Sequence, residues 1–442
     1  MADTTRGRID GWGIYLLALV FLIPVVVPSG PGRLAIVDGL IVLGLMAFAA
    51  RIMGRREAVR VPYMAPSFMV ALGSLVAMVG ALNPGASVLA IVQDVYLFTW
   101  FLMLIHIMRG RDLLPIQKAW MWSGNLIALY GVLVLIKQDH VAILDMVRPK
   151  GKRLDSTFYD PNMAGGYLVM CLFFTMSLAK KVSPLVRWGS MGLMLLGIVA
   201  SKSNGAALSL VVGFAVWLLM RARTLRSHPL LVGAAGFLAA TVALTAVWAI
   251  VGLGIGSAEL DSFEENSFLA RASHSSEGRF TIWKNLEDTY KKSPLGIGPG
   301  NSSSLTVSVA QRLRPGSLQA KEAHNDYLAA AIERGPLGIS GLLLLLAMAF
   351  GKLYAAARPK DPETGEPVKP DDGFGRLVAA MGGALAAAAV HGLTIEILHF
   401  RHFWMLMAIV VVIDGLAKGE GAESRSPAES PVLPPPVRVA AA

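Results

Sequence analysis

Gly278-Arg279-Phe280-Thr281-Ile282-Trp283, Pro294-Leu295-Gly296-Ile297-Gly298-Pro299-Gly300-Asn301, Ala323-His324-Asn325-Asp326-Tyr327-Leu328 and Glu333-Arg334-Gly335-Pro336-Leu337-Gly338 succeed one another between positions 278 and 338. These polar and glycine-rich elements stand in a chain of 442 residues that is 54% hydrophobic and only 16% charged. Its mean hydropathy is +0.56. A chain of that composition builds its core between helices in lipid rather than as several soluble domains. The quoted elements lie in the one long segment that does not read as a membrane span, so function is to be looked for there.

Outward from that segment, apolar runs long enough to cross a bilayer occur at about 13–28, 34–50, 66–82, 88–108, 120–136, 163–179, 188–200, 205–220, 229–256, 336–357, 377–398 and 403–417. The expectation is an all-α integral membrane protein of about twelve transmembrane helices. Helices one to nine occupy 1–256, a long periplasmic loop carrying the motifs occupies 257–335 between helices nine and ten, and helices ten to twelve occupy 336–417. The remainder, 418–442, with Pro434-Pro435-Pro436, reads as a disordered cytoplasmic tail. The run Ile14 to Val27 follows Arg6 and Arg8, but no small-residue cleavage site comes after it, so it reads as a first anchor rather than a signal peptide. Cys171 falls inside an apolar run and reads as packing.

Charge sets the orientation. Basic residues gather in every second loop: Arg51, Arg55, Arg56 and Arg60; Arg109, Arg111 and Lys118; Lys180, Lys181 and Arg187; Arg221, Arg223 and Arg226; Lys352, Arg358, Lys360, Lys369 and Arg376. By the positive-inside rule those loops and both termini are cytoplasmic. The net charge of +10 therefore reflects span ends and lipid headgroups, and nucleic acid is rejected as a partner. Some external segments break the rule: Arg148, Lys150, Lys152 and Arg153 before span six, the cations of the long loop, and Arg401 in the last external turn. Positive charge there opposes insertion, and an anionic ligand at the outer face would supply the reason.

His324 is followed by Asn325 and Asp326, good N-cap and first-turn residues, and Gly335-Pro336 ends the helix they begin. His324 thus stands at the positive end of a short helix, which favours an anion and keeps the imidazole neutral. A neutral imidazole beside a bound phosphate is a suitable general base for a hydroxyl nucleophile; the alternative is a solvated loop histidine. Glu333, nine residues on, points away from His324, so it pairs with a cation elsewhere, closes the helix end, or supports the site from behind. Phe280, Trp283, Leu286 and Tyr290 recur at helical spacing before Lys291 and Lys292, an amphipathic interfacial helix whose aromatic stripe reads as packing. Arg279 opens that helix, on lipid phosphate or on ligand. Lys202, in Ser201-Lys202-Ser203-Asn204-Gly205 between two short spans, either lies in a polar cavity or snorkels to the interface. Arg401 either forks onto a phosphate or pairs with Glu396. Asp160-Pro161 reads as N-cap and first helical residue, which leaves Arg153 freer to bind ligand. His391 reads as a hydrogen bond between helices, His399 and His402 show no metal-ligand spacing, and no P-loop is present.

At these residues the chain resembles the bacterial O-antigen ligase and polymerase superfamily. The likeness rests on Gly278-Arg279 with Trp283, on Pro294-Leu295-Gly296-Ile297-Gly298, and on His324-Asn325 followed after nine residues by Gly335-x-x-Gly338. Arg401 with Trp404 is similar to the family's closing element. The resemblance implies a fold of the GT-C-like, lipid-linked-sugar transferase type and a glycan donor on undecaprenyl pyrophosphate. It implies transfer in the periplasm without metal or other cofactor. His324 would activate the acceptor hydroxyl, while Arg279, Arg401 and Arg153 would hold the pyrophosphate, with Asn325 and Glu333 supporting the substrate site. Family members often carry Arg where this chain has Asn204, so a cationic role there falls to Lys202. An O-antigen ligase hands its polymer to a lipid A core sugar; a polymerase joins lipid-linked repeat units of an O-antigen, capsule or exopolysaccharide; a related transferase glycosylates protein. A flippase or exporter of the lipid-linked glycan is the reading from another class.

Overall fold

The computed structural model describes residues 10–26, 35–55, 58–137, 153–158, 160–225, 283, 287–302, 324–359, 366 and 371–419. Among the described residues the protein is all-helical, without a strand: α1 (Gly11–Leu22), α2 (Ile36–Arg55), α3 (Met64–Met78), α4 (Pro84–Met108), α5 (Leu114–Lys137), α6 (Pro161–Ser177), α7 (Pro184–Ser201), α8 (Asn204–Leu225), α9 (Asp326–Ala356), α10 (Asp372–His391) and α11 (Arg401–Ala417). The expected span at 229–256, the tail and most of the long loop, Arg279 included, lie outside the described residues, as do Arg148, Lys150 and Lys152. Of the eleven helices, α2, α4, α5, α7, α8, α9 and α10 are long and apolar enough to cross a membrane. The protein is a multi-pass membrane protein. α1, α3, α6 and α11, at 12, 15, 17 and 17 residues, are shorter than the roughly 20 residues that a perpendicular crossing takes.

Local chemistry explains several boundaries. Asn83 caps α4 through the Ala86 N–H at 3.1 Å with Pro84 in the first turn, and Asp160 caps α6 through the N–H groups of Asn162 and Met163 with Pro161 in the first turn. One expectation needs correction. The apolar run 377–398 is not one helix: α10 stops at His391, and residues 392–400 turn back toward α11. Hydropathy misses this stop because the turn is itself apolar and its polar backbone is satisfied by other elements.

α6 lies at the centre, buried almost all round, as a helix with little amphipathic character must be. Trp120 stacks on its Phe174 with ring centroids 4.9 Å apart, and Tyr167 gives the bundle a buried hydrogen bond to Ser123 at 2.8 Å. Small residues bring helix backbones together, the usual means of packing where lipid removes the hydrophobic drive. α8 crosses α10 where a Cβ on Gly213 would lie 2.6 Å from the Gly383 carbonyl. α3 meets α9 where a Cβ on Gly73 would lie 2.7 Å from the Arg334 carbonyl.

The two ends of the bundle differ. At one end, Asp10 holds Arg111 at 2.6 Å, Asp414 holds Lys352 and Lys418, and Asp372 is shared by Lys180, Arg221 and Arg376. The Arg111 hydrogen bond keeps the Asp10 carboxyl below its ordinary range. The other end gathers His324 and its neighbours.

Candidate active site

The site is built on a broken helix. α9 is interrupted at Gly335, whose φ of 63° and ψ of −162° are not helical, and Pro336 follows without an N–H. The carbonyl of Ile332 thereby loses its normal donor, and the turn at Gly335 removes that of Glu333. Both are recovered from outside: Ile297 N–H donates to the Ile332 carbonyl at 2.9 Å and Gly298 N–H to the Glu333 carbonyl at 3.1 Å. The Pro294-to-Gly298 motif is therefore the piece that fills the break. It fits only with glycine on each side, because a Cβ on Gly296 would lie 2.7 Å from the Glu333 carbonyl and one on Gly335 would lie 2.6 Å from the Leu295 carbonyl.

The side chains lock the same piece. Glu333 Oε2 accepts from Gly300 N–H at 2.9 Å, and Oε1 accepts from Ser302 N–H and hydroxyl at 3.0 and 2.6 Å. Asn301 accepts from Asn83 N–H at 2.9 Å and donates to Ser87 Oγ at 2.8 Å, tying the loop to the start of α4. Glu333 was expected to pair with a cation, close its helix or support the substrate site. Its buried carboxylate accepts from three donors of a loop that has no ladder of its own, rather than from a cation. The Gly296-to-Gly300 run is a turn, with all three glycines at positive φ.

At the other end of this half-helix, Asn325 is the N-cap, its Oδ1 accepting from the N–H groups of Tyr327 and Leu328 at 3.0 Å each. His324 precedes it, half-buried, with a φ of 53° that few non-glycine residues adopt. Such backbone is kept only where the surroundings over-determine it, and it concentrates at functional sites. Trp283 and Tyr290 pack on Ile297, Ala329 and Ile332, so the described part of the aromatic stripe is packing. Glu287, hydrogen-bonded to Lys291 on the short helical stretch 287–292, raises the lysine above its usual value.

Three of the expected cations stand at this same end. Arg153 donates through Nε to the Ser201 carbonyl at 2.9 Å and through Nη2 to Asn162 Oδ1 and the Lys202 carbonyl at 3.4 Å each, so it sits on the negative end of α7. Lys202 is the left-handed cap of α7 at φ 50°, with its side chain exposed between the buried Ser201 and Ser203. Ser203 donates to Asn162 Oδ1 at 2.9 Å, and the Asn162 carbonyl meets His391 Nε2 at 3.1 Å, while His391 Nδ1 lies 3.3 Å from Ser209 Oγ. His391 thus joins α10 to α6 and α8, as the sequence suggested, although it ends α10 rather than lying inside a span.

Arg401 needs a correction. Its carboxylate partner is Asp38 rather than Glu396: its Nε and Nη2 lie 2.8 and 2.5 Å from Asp38 Oδ1. Tyr96 donates to the same carboxylate at 2.8 Å, and Ala35 N–H donates to it at 2.7 Å. The buried charge is paired and hydrogen-bonded, the condition under which charges tolerate burial. Asp38 was not singled out in the sequence; the signal available was a lone aspartate near the start of an apolar run. Asn162, Asn301 and Asp326, which carry other tertiary bonds, gave no signal beyond ordinary helix-end chemistry.

A cavity of about 730 Å³ opens at the opposite end, away from His324. Several of its polar side chains are already engaged, Gln117 with Ser177 at 2.9 Å, Asp371 with the first turn of α10, and Arg111 with Asp10 outside the lining. It adds nothing to the chemistry near His324.

Comparison with known families matches residues 189–344 to the O-antigen ligase family. A comparison with curated proteins finds no match. The matched segment contains Lys202, Arg279, His324, Asn325, Glu333, Gly335 and Gly338, while Arg153 and Arg401 lie outside it. Residues 189–344 thus carry most of the motifs on which the likeness rests, and over this segment the chain is similar to the O-antigen ligase family.

Proposed function

We propose that this protein is a membrane glycosyltransferase of the O-antigen ligase type, moving a glycan from undecaprenyl pyrophosphate onto an acceptor sugar hydroxyl at the periplasmic face. The observation that carries this reading is the place of His324. It lies within the O-antigen ligase match, in a left-handed conformation at the positive end of the first half of α9, at the same end of the bundle as Arg153, Lys202 and Arg401.

In this reaction the acceptor oxygen attacks the anomeric carbon while the bond from that carbon to the pyrophosphate oxygen breaks. His324 takes the hydroxyl proton, and polyprenyl pyrophosphate leaves with the electron pair. Fixed cations stabilise the charge developing on that leaving group, the task a metal performs elsewhere. Lys202, Arg153 and Arg279 are assigned to it. Arg401, paired with Asp38, supports the wall of the site, and Asn325 and Glu333 hold the half-helix and its loop in place. A single direct displacement inverts the anomeric configuration.

The test is complementation of a strain lacking this gene with wild type and His324→Ala at matched membrane levels, reading surface polysaccharide and lipid A on a gel. Loss with the variant supports the general base, and wild-type behaviour removes it in favour of transport of the lipid-linked glycan. When the variant fails, polymer accumulating on the carrier lipid marks a ligase, and single repeat units mark a polymerase.

A further inference from the structure

Asp326 does more than its position requires. An acidic residue in a first helical turn ordinarily complements the dipole from a solvated position. Here the side chain is 4% exposed and leaves its own helix. Oδ2 accepts from Ile397 N–H at 2.8 Å and Oδ1 from Leu398 N–H at 3.4 Å. Its backbone N–H, one of the orphan donors of the helix start, goes to the Gly392 carbonyl at 2.8 Å. Tyr327 adds a bond from its hydroxyl to the Ala389 carbonyl at 2.7 Å.

Gly392 and Leu398 lie near the two ends of the turn between α10 and α11, and that turn leads directly into Arg401. The start of α9 is therefore clamped to the whole 392–398 segment, and the clamp is two residues from His324. His324 holds a φ of 53°, which the chain would leave for an ordinary conformation if its neighbours did not fix it.

We propose that Asp326 is a positioning residue for the transfer reaction, acting through His324 by fixing the start of α9 against the α10–α11 turn. The catalytic half of this rests on the function proposed above; the geometric half does not. Asp326→Asn keeps the size but sets an NH₂ group against one of the two N–H donors. Gly392→Ala reaches the same clamp without touching Asp326, because its Cβ would lie 3.0 Å from Asp326 Oδ2.

The experiment uses the full-length protein in lipid nanodiscs. Diethyl pyrocarbonate modification of His324 is followed by peptide mass spectrometry, with His106, near the end of α4, as the internal control. Steady-state transfer from a polyprenyl-pyrophosphate glycan is measured on the same samples. The expected result in both variants is a His324 modification rate changed severalfold, an unchanged His106 rate, and kcat reduced by about 100-fold with KM for the donor nearly constant. An unchanged His324 rate in a folded variant overturns the proposal whatever the activity does. Equal changes at His324 and His106 also overturn it, since they report general loosening. A selective change at His324, with no transfer by the wild-type protein on any lipid-linked glycan, leaves the positioning role standing and removes the glycosyltransferase reading. If Asp326→Asn does not fold, Gly392→Ala decides by the same two criteria.

Discussion

Arg334 and Asp94 form an ion pair of 2.7 Å between α9 and α4, immediately before the break at Gly335. The arginine side chain is 7% exposed and the aspartate 32%. Removing one partner of a buried pair leaves an uncompensated charge, whereas replacing both with apolar groups is often neutral. Asp94→Ala is expected to destabilise by about 3 kcal/mol, the low end of the usual range because Asp94 is partly exposed. Arg334→Met combined with Asp94→Ala should recover most of that loss. Thermal unfolding of the purified protein in detergent checks both, and a double variant no better than the single one would refute the pairing account.

The glycines at the break are required for a different reason. Gly335→Ala and Gly296→Ala each combine positive φ with a carbonyl 2.6 to 2.7 Å from the new Cβ. Neither backbone can shift without freeing the carbonyls of Ile332 or Glu333, so both variants should fall sharply in folded yield on size-exclusion chromatography. Gly189→Ala in α7, with nothing within 4 Å of its Cβ, should be neutral or slightly stabilising, as Ala for Gly in a helix interior is worth about 0.5 to 1 kcal/mol.

The N-cap gives a smaller, graded effect. Asn325 supplies both hydrogen bonds that start α9, so Asn325→Ala should cost about 1 kcal/mol, and Asn325→Asp or Asn325→Ser should retain most of the stability. Because His324 is the neighbouring residue, activity in the alanine variant should fall further than the lost stability accounts for. Parallel melting curves and transfer rates check this. Equal stability for Ala and Asp would show that the cap contributes nothing.

These cases separate what sequence can express from what it cannot. The caps at Asp160 and Asn325 and the break at Gly335-Pro336 were legible because each is decided within four residues by backbone chemistry. The packing of Trp283 and Tyr290 was legible from helical spacing. The pairing of Arg401 with Asp38 was missed because the two are 363 residues apart, and nothing local distinguishes a cation awaiting a ligand from one with a distant carboxylate. The partners of Glu333 were hidden for the converse reason: two of its three donors are backbone N–H groups, which every residue but proline possesses and no motif records. The end of α10 at His391 was hidden because hydropathy measures side chains, while the turn beyond is held through its backbone, by Asp326 among others.

The Asp38 pairing makes the role of Arg401 testable. If the guanidinium is a structural member of the Asp38–Tyr96–Arg401 cluster, Arg401→Ala and Asp38→Ala should lower stability and activity together. The loss in the double variant should then be far smaller than the sum of the single losses, because one bond set is being removed twice. If Arg401 held the pyrophosphate instead, Asp38→Ala would free a cation and leave activity near or above wild type, while Arg401→Ala would abolish it with little effect on melting. The cluster geometry favours the first outcome, since Nε and Nη2 both face the carboxylate, and Asp38 itself is only 6% exposed. Transfer rates and melting temperatures of the four proteins in one buffer distinguish the two, and a selective activity loss confined to Arg401→Ala would return Arg401 to the substrate site.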